Sequence, residues 1–481
     1  MTSRTLLALA CAVAASGAVP AHAADTTALT LYRSDDAGLY ASGSNSDLNA
    51  GYAVVHEQRQ LKLDVGTHDV VLGDLPIHID AEALALGFPA GGAKVLSQRL
   101  RIAEGVSGAM TGLVGSKITV LGSNGNTLAD GTLLRADNGL LVAGTAGTTL
   151  VHNYAAVRSD SGVFPTGSSL DLRVDATRSG PAKASLNYPT AGLGWRAAYV
   201  ATLQAGTTCK MQFESRASIA NRSGRDWKNI QLTLIAGEPN FAKGSAPRPM
   251  MAMERGFSAK ADAMPQQDSI GDYRSYTLPD LVDLPDASVS QVPLYATRDM
   301  GCERTALYEN GNTFQPQRPN LQSDYDQGNS AVVSNLKLKA FDSLPAGYLR
   351  VLTNDRHGIP QFIGEGRIDD TPKGGDATIT LGTAFDLRGE RTRTGFKVDK
   401  DGHTMNESFR ISLSNASNNA RTVMVREHPN RWHQWTVTSS STQPSEKTTD
   451  TLTFLVNVPA NGKATLDYAV RYSWTADEQP Q

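Results

Sequence analysis

The stretch YPTAGLGWRAAYVATLQAGTTCKMQFESRASIANRSGRDWKNIQLTLIAGEPN, residues 188–240, decides the fold class. Residues 196–203 and 210–219 read as two extended runs, and residues 230–235 alternate Ile and Leu with Gln and Thr. Alternation with a period of two is typical of a half-buried strand. The segment Asn-Arg-Ser-Gly at 221–224 supplies turn chemistry, because Asn and Gly accept positive φ and Asn and Ser side chains bond back to the backbone. The stretch therefore predicts a meander of antiparallel strands.

Large aromatic residues stand at the entry of this meander and after its turn. Trp195 and Trp227 are expected in the hydrophobic core, because large aromatic side chains dominate the cores of such folds. Exposed edge strands could instead bind a strand of a partner. We therefore give a set of motif residues in this stretch a structural or binding role: Trp195, Arg196, Tyr199, Asn221, Gly224, Asp226, Trp227, Gly237, Glu238 and Pro239.

Four sections of the sequence carry a family resemblance. They are YPTAGLGWRAAYVATL at 188–203, NRSGRDWKNIQLTLIAGEPN at 221–240, LPAGYLRVLTNDRHGIPQFIGEGRI at 344–368 and LGTAFDLRGER at 381–391. In this order they resemble a family of exported bacterial proteins related to the mucoidy inhibitor proteins. The part that its members share is a domain of unknown function, number forty-one thirty-nine. The resemblance covers most of the chain.

The resemblance implies a β-rich exported protein. It brings no established reaction and no catalytic residues to carry over. Longer members of the family have a helical coiled-coil insert in the N-terminal half. Residues 108–150 lack the long apolar heptads that a coiled coil needs, so that part, with any function it serves, is not expected in this chain.

The composition points away from nucleic acid and from anionic lipid as partners. Charged residues make up 19% of the 481 residues and the net charge is −3, whereas proteins that bind polyanions carry a basic surface. The 44 glycines, together with many Thr, Ser and Val residues, favour turns and strands over helices. A chain of this length is expected to contain roughly three domains.

Residues 1–23 read as a secretory signal peptide. Arg4 is the positive n-region, residues 6–19 are the apolar h-region, and Ala-His-Ala at 21–23 is the cleavage site. Cys11 raises the alternative of a lipoprotein, although the residues before it match that motif poorly. No other window reaches the roughly 20 apolar residues that span a bilayer. The sequence therefore predicts an exported protein, periplasmic or extracellular, without a transmembrane segment in the mature chain.

The predicted fold is mainly β, with tandem antiparallel β-sandwich or barrel-like domains and few short helices. Strand-length runs separated by turn residues at roughly regular spacing indicate this architecture. Asn-Gly pairs between short apolar runs are strong hairpin signals and favour a small barrel-like part. The predicted units are an N-terminal β-unit at 24–168 that includes this part at about 108–157, a central β-domain at 169–329, and a C-terminal β-sandwich at 330–481.

Residues 241–272 break the strand pattern. They combine Pro, Gly, Ser, Met and mixed charge without periodicity, and such a segment cannot bury enough apolar surface to offset the entropy of ordering its backbone. We predict a disordered excursion between two strands of one sheet. Cys209 and Cys302 remain after signal removal and stand at strand ends in an oxidising compartment. They are expected to form an intramolecular disulfide, with two buried free thiols as the alternative.

No catalytic, cofactor-binding or metal site can be selected from the sequence. The histidines are scattered without HExxH spacing, and no GxSxG elbow is present. Glu365, Asp369 and Asp370 are the carboxylates considered for a glycosidase, which needs two of them about 5 to 9 Å apart, but a solvated turn is the simpler interpretation. Trp432 and Trp435 are weak evidence for a sugar platform, because residues three apart do not share a strand face.

The functional prediction is an exported multidomain β-protein with a non-enzymatic binding or structural role at the cell envelope. Tandem β-units, a signal peptide and the lack of a catalytic constellation support it. The expected partner is an envelope glycan or another envelope protein, and no cofactor is expected. The alternative is a carbohydrate-active hydrolase that uses paired carboxylates.

Overall fold

The computed structural model describes residues 27–41, 50–101, 110, 112–159, 168–204, 208–237, 264–311, 313–324 and 328–481. Along most of these ranges buried residues alternate with exposed ones, which places one side of each extended segment against a core. Strand is therefore the dominant element. The short helix α1, Ala37–Tyr40, begins at Asp36, whose side chain accepts a hydrogen bond from the Gly38 amide. The prediction of a mainly β fold with few short helices is confirmed.

The strands follow one another in chain order. The first eleven are β1 Thr27–Tyr32, β2 Ala53–Leu63, β3 Gly66–Leu75, β4 Ala85–Gly87, β5 Ala93–Arg101, β6 Lys117–Leu121, β7 Thr127–Arg135, β8 Leu140–Gly144, β9 Gly147–Val151, β10 Ala156–Ser159 and β11 Ser168–Ala176. The next nine are β12 Gly180–Thr190, β13 Leu193–Leu203, β14 Lys210–Asn221, β15 Trp227–Ala236, β16 Gln266–Ile270, β17 Tyr273–Thr277, β18 Val282–Leu284, β19 Ser288–Asn310 and β20 Ala331–Lys339. The last nine are β21 Gly347–Asn354, β22 Pro360–Ile368, β23 Asp376–Asp399, β24 Thr404–Asn415, β25 Arg421–Glu427, β26 Trp435–Ser440, β27 Glu446–Lys447, β28 Leu452–Val458 and β29 Gly462–Ser473.

An eight-stranded sheet joins the N-terminal strands to the central meander. Its order is β16-β17-β15-β1-β2-β12-β4, and β18 pairs with β15. β1 lies between β15, to which it is parallel, and β2, to which it is antiparallel. This pairing buries Leu29 and Leu31 of β1 beside Leu232 and Leu234 of β15.

Two smaller sheets complete the N-terminal part. One has the order β3-β11-β5, and the other has the order β10-β6-β7-β8-β9. The five-stranded sheet lies between β5 and β11 in the sequence and has its own core around Ile118, Leu133 and Val142. The barrel-like part predicted at about 108–157 is therefore an antiparallel sheet with β10 and β9 as its edges, and not a closed barrel.

The largest sheet runs through the rest of the chain. Its order is β22-β21-β13-β14-β19-β20-β23-β24-β29-β26, with β25, β27 and β28 attached through β19. Two hydrophobic cores pack against this sheet and its neighbours. Three strands contribute to both cores: β19 through Leu294 and Tyr308, β20 through Leu336 and Val332, and β23 through Ile379 and Leu387.

The sheets cross the domain boundaries predicted at 168/169 and 329/330. β11 pairs with β3 and β5, and β13 pairs in parallel with β21. The three predicted units consequently share sheets and the first core. Strand pattern shows which runs are extended, but it does not show which distant runs pair, because pairing depends on the whole chain.

Part of the predicted disordered excursion is an ordered strand. Gln266–Ile270 form β16 and pair with β17 over their whole length, so the prediction of disorder is wrong for these residues. Backbone pairing with β17 stabilises a segment whose polar composition indicates no strand. Residues 241–263 of the excursion and the signal peptide at 1–23 lie outside the described residues.

Candidate functional site

The aromatic motif residues of the meander lie in the interior. Trp195, Tyr199 and Trp227 are buried. The Trp195 indole N–H donates to the carbonyl oxygen of Ile235 at 3.0 Å, and the Tyr199 hydroxyl donates to that of Pro345 at 2.7 Å. A buried tryptophan or tyrosine normally finds such a partner for its polar atom. These residues therefore hold sheets together and offer no surface to a ligand.

The motif turn is held by one asparagine side chain. Asn221 Nδ2 donates to the carbonyl oxygens of Arg225 and Leu284, both at 2.8 Å. Its Oδ1 accepts from the Ser223 amide at 3.0 Å and from the Ser223 hydroxyl at 2.7 Å. Gly224 has φ +75°, and a Cβ there would come within 2.9 Å of Ile77. Asn221 and Gly224 thus serve the turn.

The other motif residues that the structure describes lie around this turn or at the ends of the meander. Asp226 Oδ1 accepts from the Asp286 amide at 2.8 Å. The Arg196 guanidinium lies over the ring of Tyr40, 3.9 Å from its centroid. Gly237 has φ +128° and lies against the ring of Tyr273. Glu238 and Pro239 lie outside the described residues.

A buried carboxylate, which the sequence analysis missed, lies beneath the turn. Glu57 of β2 receives Arg225 Nη1 at 2.5 Å, Arg59 Nε at 2.8 Å and the hydroxyl of Tyr188. Burial works to raise the pKa of Glu57, but Arg225 and Arg59, with the hydrogen bonds from Arg225 and Tyr188, outweigh it, so the pKa is lowered. An alternating strand with Glu at an inward position is the signal that could have revealed this group.

A second turn repeats the hydrogen bonds of the first. Asn415 Nδ2 donates to the carbonyl oxygen of Asn419 at 2.8 Å, and Asn415 Oδ1 accepts from the amide and hydroxyl of Ser417 at 3.0 and 2.7 Å. The Asn-x-Ser pattern at 221–223 and at 415–417 is the shared signal. In both copies the Asn and Ser side chains form hydrogen bonds within the turn.

The second buried carboxylate, Glu427 of β25, is less completely paired than Glu57. Its Oε2 accepts from Arg391 at 2.8 Å and from the Tyr468 hydroxyl at 2.6 Å. Its Oε1 has no hydrogen-bond partner among the described residues. Burial raises the pKa of Glu427 despite the nearby Arg391. This group is enclosed by side chains of the second core and is not open to a substrate.

Each of the carboxylates considered for a glycosidase lies near a different arginine. Both Asp370 oxygens lie 2.7 Å from Arg33 Nη1, and Glu365 Oε2 lies 2.9 Å from Arg350 Nη2. Asp369 is almost fully exposed and lies 3.9 Å from Arg367 Nε. Trp432 and Trp435, considered for a sugar platform, are only 5% and 7% exposed.

Two small, partly open clefts lie on the described part of the chain. One, of about 260 Å³, is lined by Trp432 and by polar residues of the segments at 317–319 and 477–479. The other, of about 220 Å³, lies along β14 and β19 beside Met264. The first cleft is lined by two carboxylates, which belong to the adjacent residues Asp477 and Glu478, and the second by one, that of Glu214. In the described part of the chain, no group of three His, Cys, Asp or Glu residues could hold a metal ion.

Among the described residues, several large apolar side chains are more than half exposed, and three of these lie in two of the family sections. Phe385 of β23 is 87% exposed, Phe362 of β22 is 61% exposed, and Ile359, before β22, is 56% exposed. A Cβ at Gly364 would lie 2.7 Å from the Leu381 Cα.

A Cβ at Gly366 would similarly lie 2.8 Å from the Ile379 Cβ, so β22 and β23 run antiparallel to each other at close approach. Phe362 precedes Gly364, and Phe385 follows Leu381, which puts both phenylalanines at the same end of this pair. We call Ile359, Phe362 and Phe385 the apolar patch.

The structure brings the two predicted disulfide partners together. The sulfur atoms of Cys209 and Cys302 are 1.98 Å apart, and the Cα atoms are 5.0 Å apart, which is within the range of protein disulfides. No helix in the described ranges is long and apolar enough to cross a membrane.

Comparison with known families identifies the family of this chain. Residues 184–476 match the model of the family described as Domain of unknown function (DUF4139). The chain belongs to this family. The DUF4139 range begins within β12 and ends beyond β29, so it includes both Asn-x-Ser turns, the disulfide and the apolar patch. No curated protein matches the chain.

Proposed function

We propose that this DUF4139 member is an exported, non-enzymatic binding protein of the cell envelope, and that the apolar patch is its binding surface. The observation that carries the proposal is the exposure of Phe385 and Phe362, at 87% and 61%, at the same end of the closely approaching strands β23 and β22. Single exposed apolar residues are common on protein surfaces. Adjacent large ones mark interaction sites, because leaving them in water costs free energy that binding recovers.

The partner class is an envelope glycan or another envelope protein. An aromatic face can stack on the apolar face of a sugar, and it can equally fill a pocket of a protein. The signal peptide expected at residues 1–23 supports the cellular location. The alternative of a carbohydrate-active hydrolase stays a prediction from the sequence, and its candidate carboxylates Glu365 and Asp370 are each paired with an arginine.

Photo-cross-linking in living cells tests this proposal. A photoreactive phenylalanine analogue is placed at Phe385 or at Phe362, and a control copy carries it at Leu455, which is 48% exposed in β28. We expect adducts from both patch positions and none from the control position. A glycan array, probed with wild-type protein and with Phe385→Ser, separates the two partner classes.

Two outcomes would overturn the proposal. One is equal cross-linking at Leu455 and at the patch. The other is the lack of any adduct at the patch together with glycan binding that does not depend on Phe385.

A further inference from the structure

The long strand β19 passes from one hydrophobic core to the other with little burial in between. Leu294 packs in the first core and Ala306 in the second. Residues 295–305 of this fully described strand are all at least partly exposed. Tyr295, Met300 and Cys302 still pack against the first core, whereas residues 303–305 contribute to neither core. Because burial of apolar side chains is the main force that fixes an element in place, this short section depends strongly on its backbone pairing and on the covalent link beside it.

β19 changes its pairing partner at Cys302. β14 pairs with β19 as far as Lys210 opposite Gly301, and β20 takes over at Leu338 opposite Cys302. The Cys302 amide donates to the carbonyl oxygen of Cys209 at 3.1 Å. The disulfide therefore joins the first residue beyond the β14 pairing to the first residue of the β20 pairing.

We infer that the Cys209–Cys302 disulfide is a redox-sensitive latch that couples the two cores at this change of partner. In the oxidised protein the bond holds β14 on β19 next to the point where β20 begins. A dithiol reductant breaks the S–S bond and supplies two electrons and two protons. Each cysteine leaves as a thiol, and the dithiol becomes a disulfide. β19 then keeps its backbone hydrogen bonds and the packing of Tyr295 and Met300 against the first core.

The placement of the cysteines suits such a latch. Both are partly exposed, and exchange requires a thiolate to reach a sulfur atom. The sequence separation of 93 residues encloses β14 to β18, so the bond also restricts a long loop of the unfolded chain. A link buried within one core would stabilise that core without affecting the connection to the other.

Hydrogen exchange and calorimetry on the full chain test the latch. The protein is folded in the oxidised state and then measured with and without a small dithiol. On reduction we expect amides at 299–304 and 335–338 to exchange at least about tenfold faster, while amides of β28, in the second core, exchange at an unchanged rate. The melting temperature should fall by about 10 °C, as expected for a link of this loop length.

The matched control is the double variant Cys209→Ser/Cys302→Ser, which should behave as the reduced wild type and show no response to the dithiol. If this variant does not fold, reduction of the folded wild type decides the question alone.

Three results would overturn the latch. They are exchange at 299–304 that is the same in both redox states, two reactive thiols in the untreated unfolded protein, and a reduction-sensitive dimer that places the bond between chains.

Discussion

Two regions carry the family resemblance in different ways. In the section at 188–240 the distinctive side chains are buried or bonded, as Trp195 and Asn221 are. In the sections at 344–391 the strands pack equally closely, yet Phe362 and Phe385 project into solvent. The contrast teaches that a distinctive motif is not by itself a site. The distinctive side chains of the first region stabilise the fold. The second region has exposed apolar side chains that the fold does not require.

Among the tests of this contrast, the largest effect on stability is expected from the substitution Trp195→Ala. Trp195 is fully buried and donates a hydrogen bond to the Ile235 carbonyl, which also accepts from the Arg33 amide at 3.1 Å. Removal of the Trp195 side chain therefore leaves a large cavity and one hydrogen bond fewer at this carbonyl. We expect a loss of about 4 kcal/mol in the free energy of unfolding. The matched variant is Phe385→Ala in the exposed region, which should change stability by no more than about 0.5 kcal/mol.

Urea denaturation of the two variants measures this difference. Equal losses from Trp195→Ala and Phe385→Ala would show that the patch packs in solution, and the distinction between the regions would fail.

The next largest effect is expected from Arg225→Met. This change leaves the buried carboxylate of Glu57 with Arg59 and Tyr188 alone, and removal of one member of a buried ion pair is strongly destabilising. We expect a loss of about 3 kcal/mol. The control is Arg350→Met, which breaks the exposed pair with Glu365 and should cost less than about 1 kcal/mol.

Thermal unfolding of both variants compares the two ion pairs. If Arg350→Met lost as much stability as Arg225→Met, the buried ion pair would not be the one that stabilises the fold.

A smaller effect distinguishes Glu57 from Glu427 by its dependence on pH. The pKa of Glu57 is lowered from 4.5, so its ionised form stabilises the fold above that pH, and the stabilisation is lost as pH falls through the folded pKa. The pKa of Glu427 is raised from 4.5, so the fold favours its protonated form, and this contribution is lost as pH rises from 4.5 towards the folded pKa.

Unfolding free energies of wild type, Glu57→Gln and Glu427→Gln are therefore compared over a pH series that spans 4.5. The advantage of wild type over Glu57→Gln should grow with pH, and its advantage over Glu427→Gln should shrink. Parallel curves for the two variants would refute the difference between the two environments.

The local structure of the chain was largely predictable from its sequence. Period-two alternation gave the strands, and Asn221 with Gly224 gave the turn, because both signals are local. The strand pairing across 168/169 and 329/330 and the strand Gln266–Ile270 were not predictable, since they depend on pairing between distant segments. The contacts of Glu57 were not predictable for the same reason, because Arg225 and Tyr188 are far from Glu57 in sequence.

The apolar patch could not be read from the sequence at all. Phe362 and Phe385 alternate with their neighbours as core residues do, and the sequence does not show that their side of the strand faces solvent.

The most direct test of the proposed function is binding of the purified protein to cell envelopes isolated from the organism that produces it. Wild type is compared with Phe362→Ser/Phe385→Ser, and Leu455→Ser serves as the exposed control. The account predicts that the double variant keeps its melting temperature and loses at least about tenfold in affinity, or about 1.4 kcal/mol, while the control binds as wild type does. Unchanged binding by a folded double variant would contradict it.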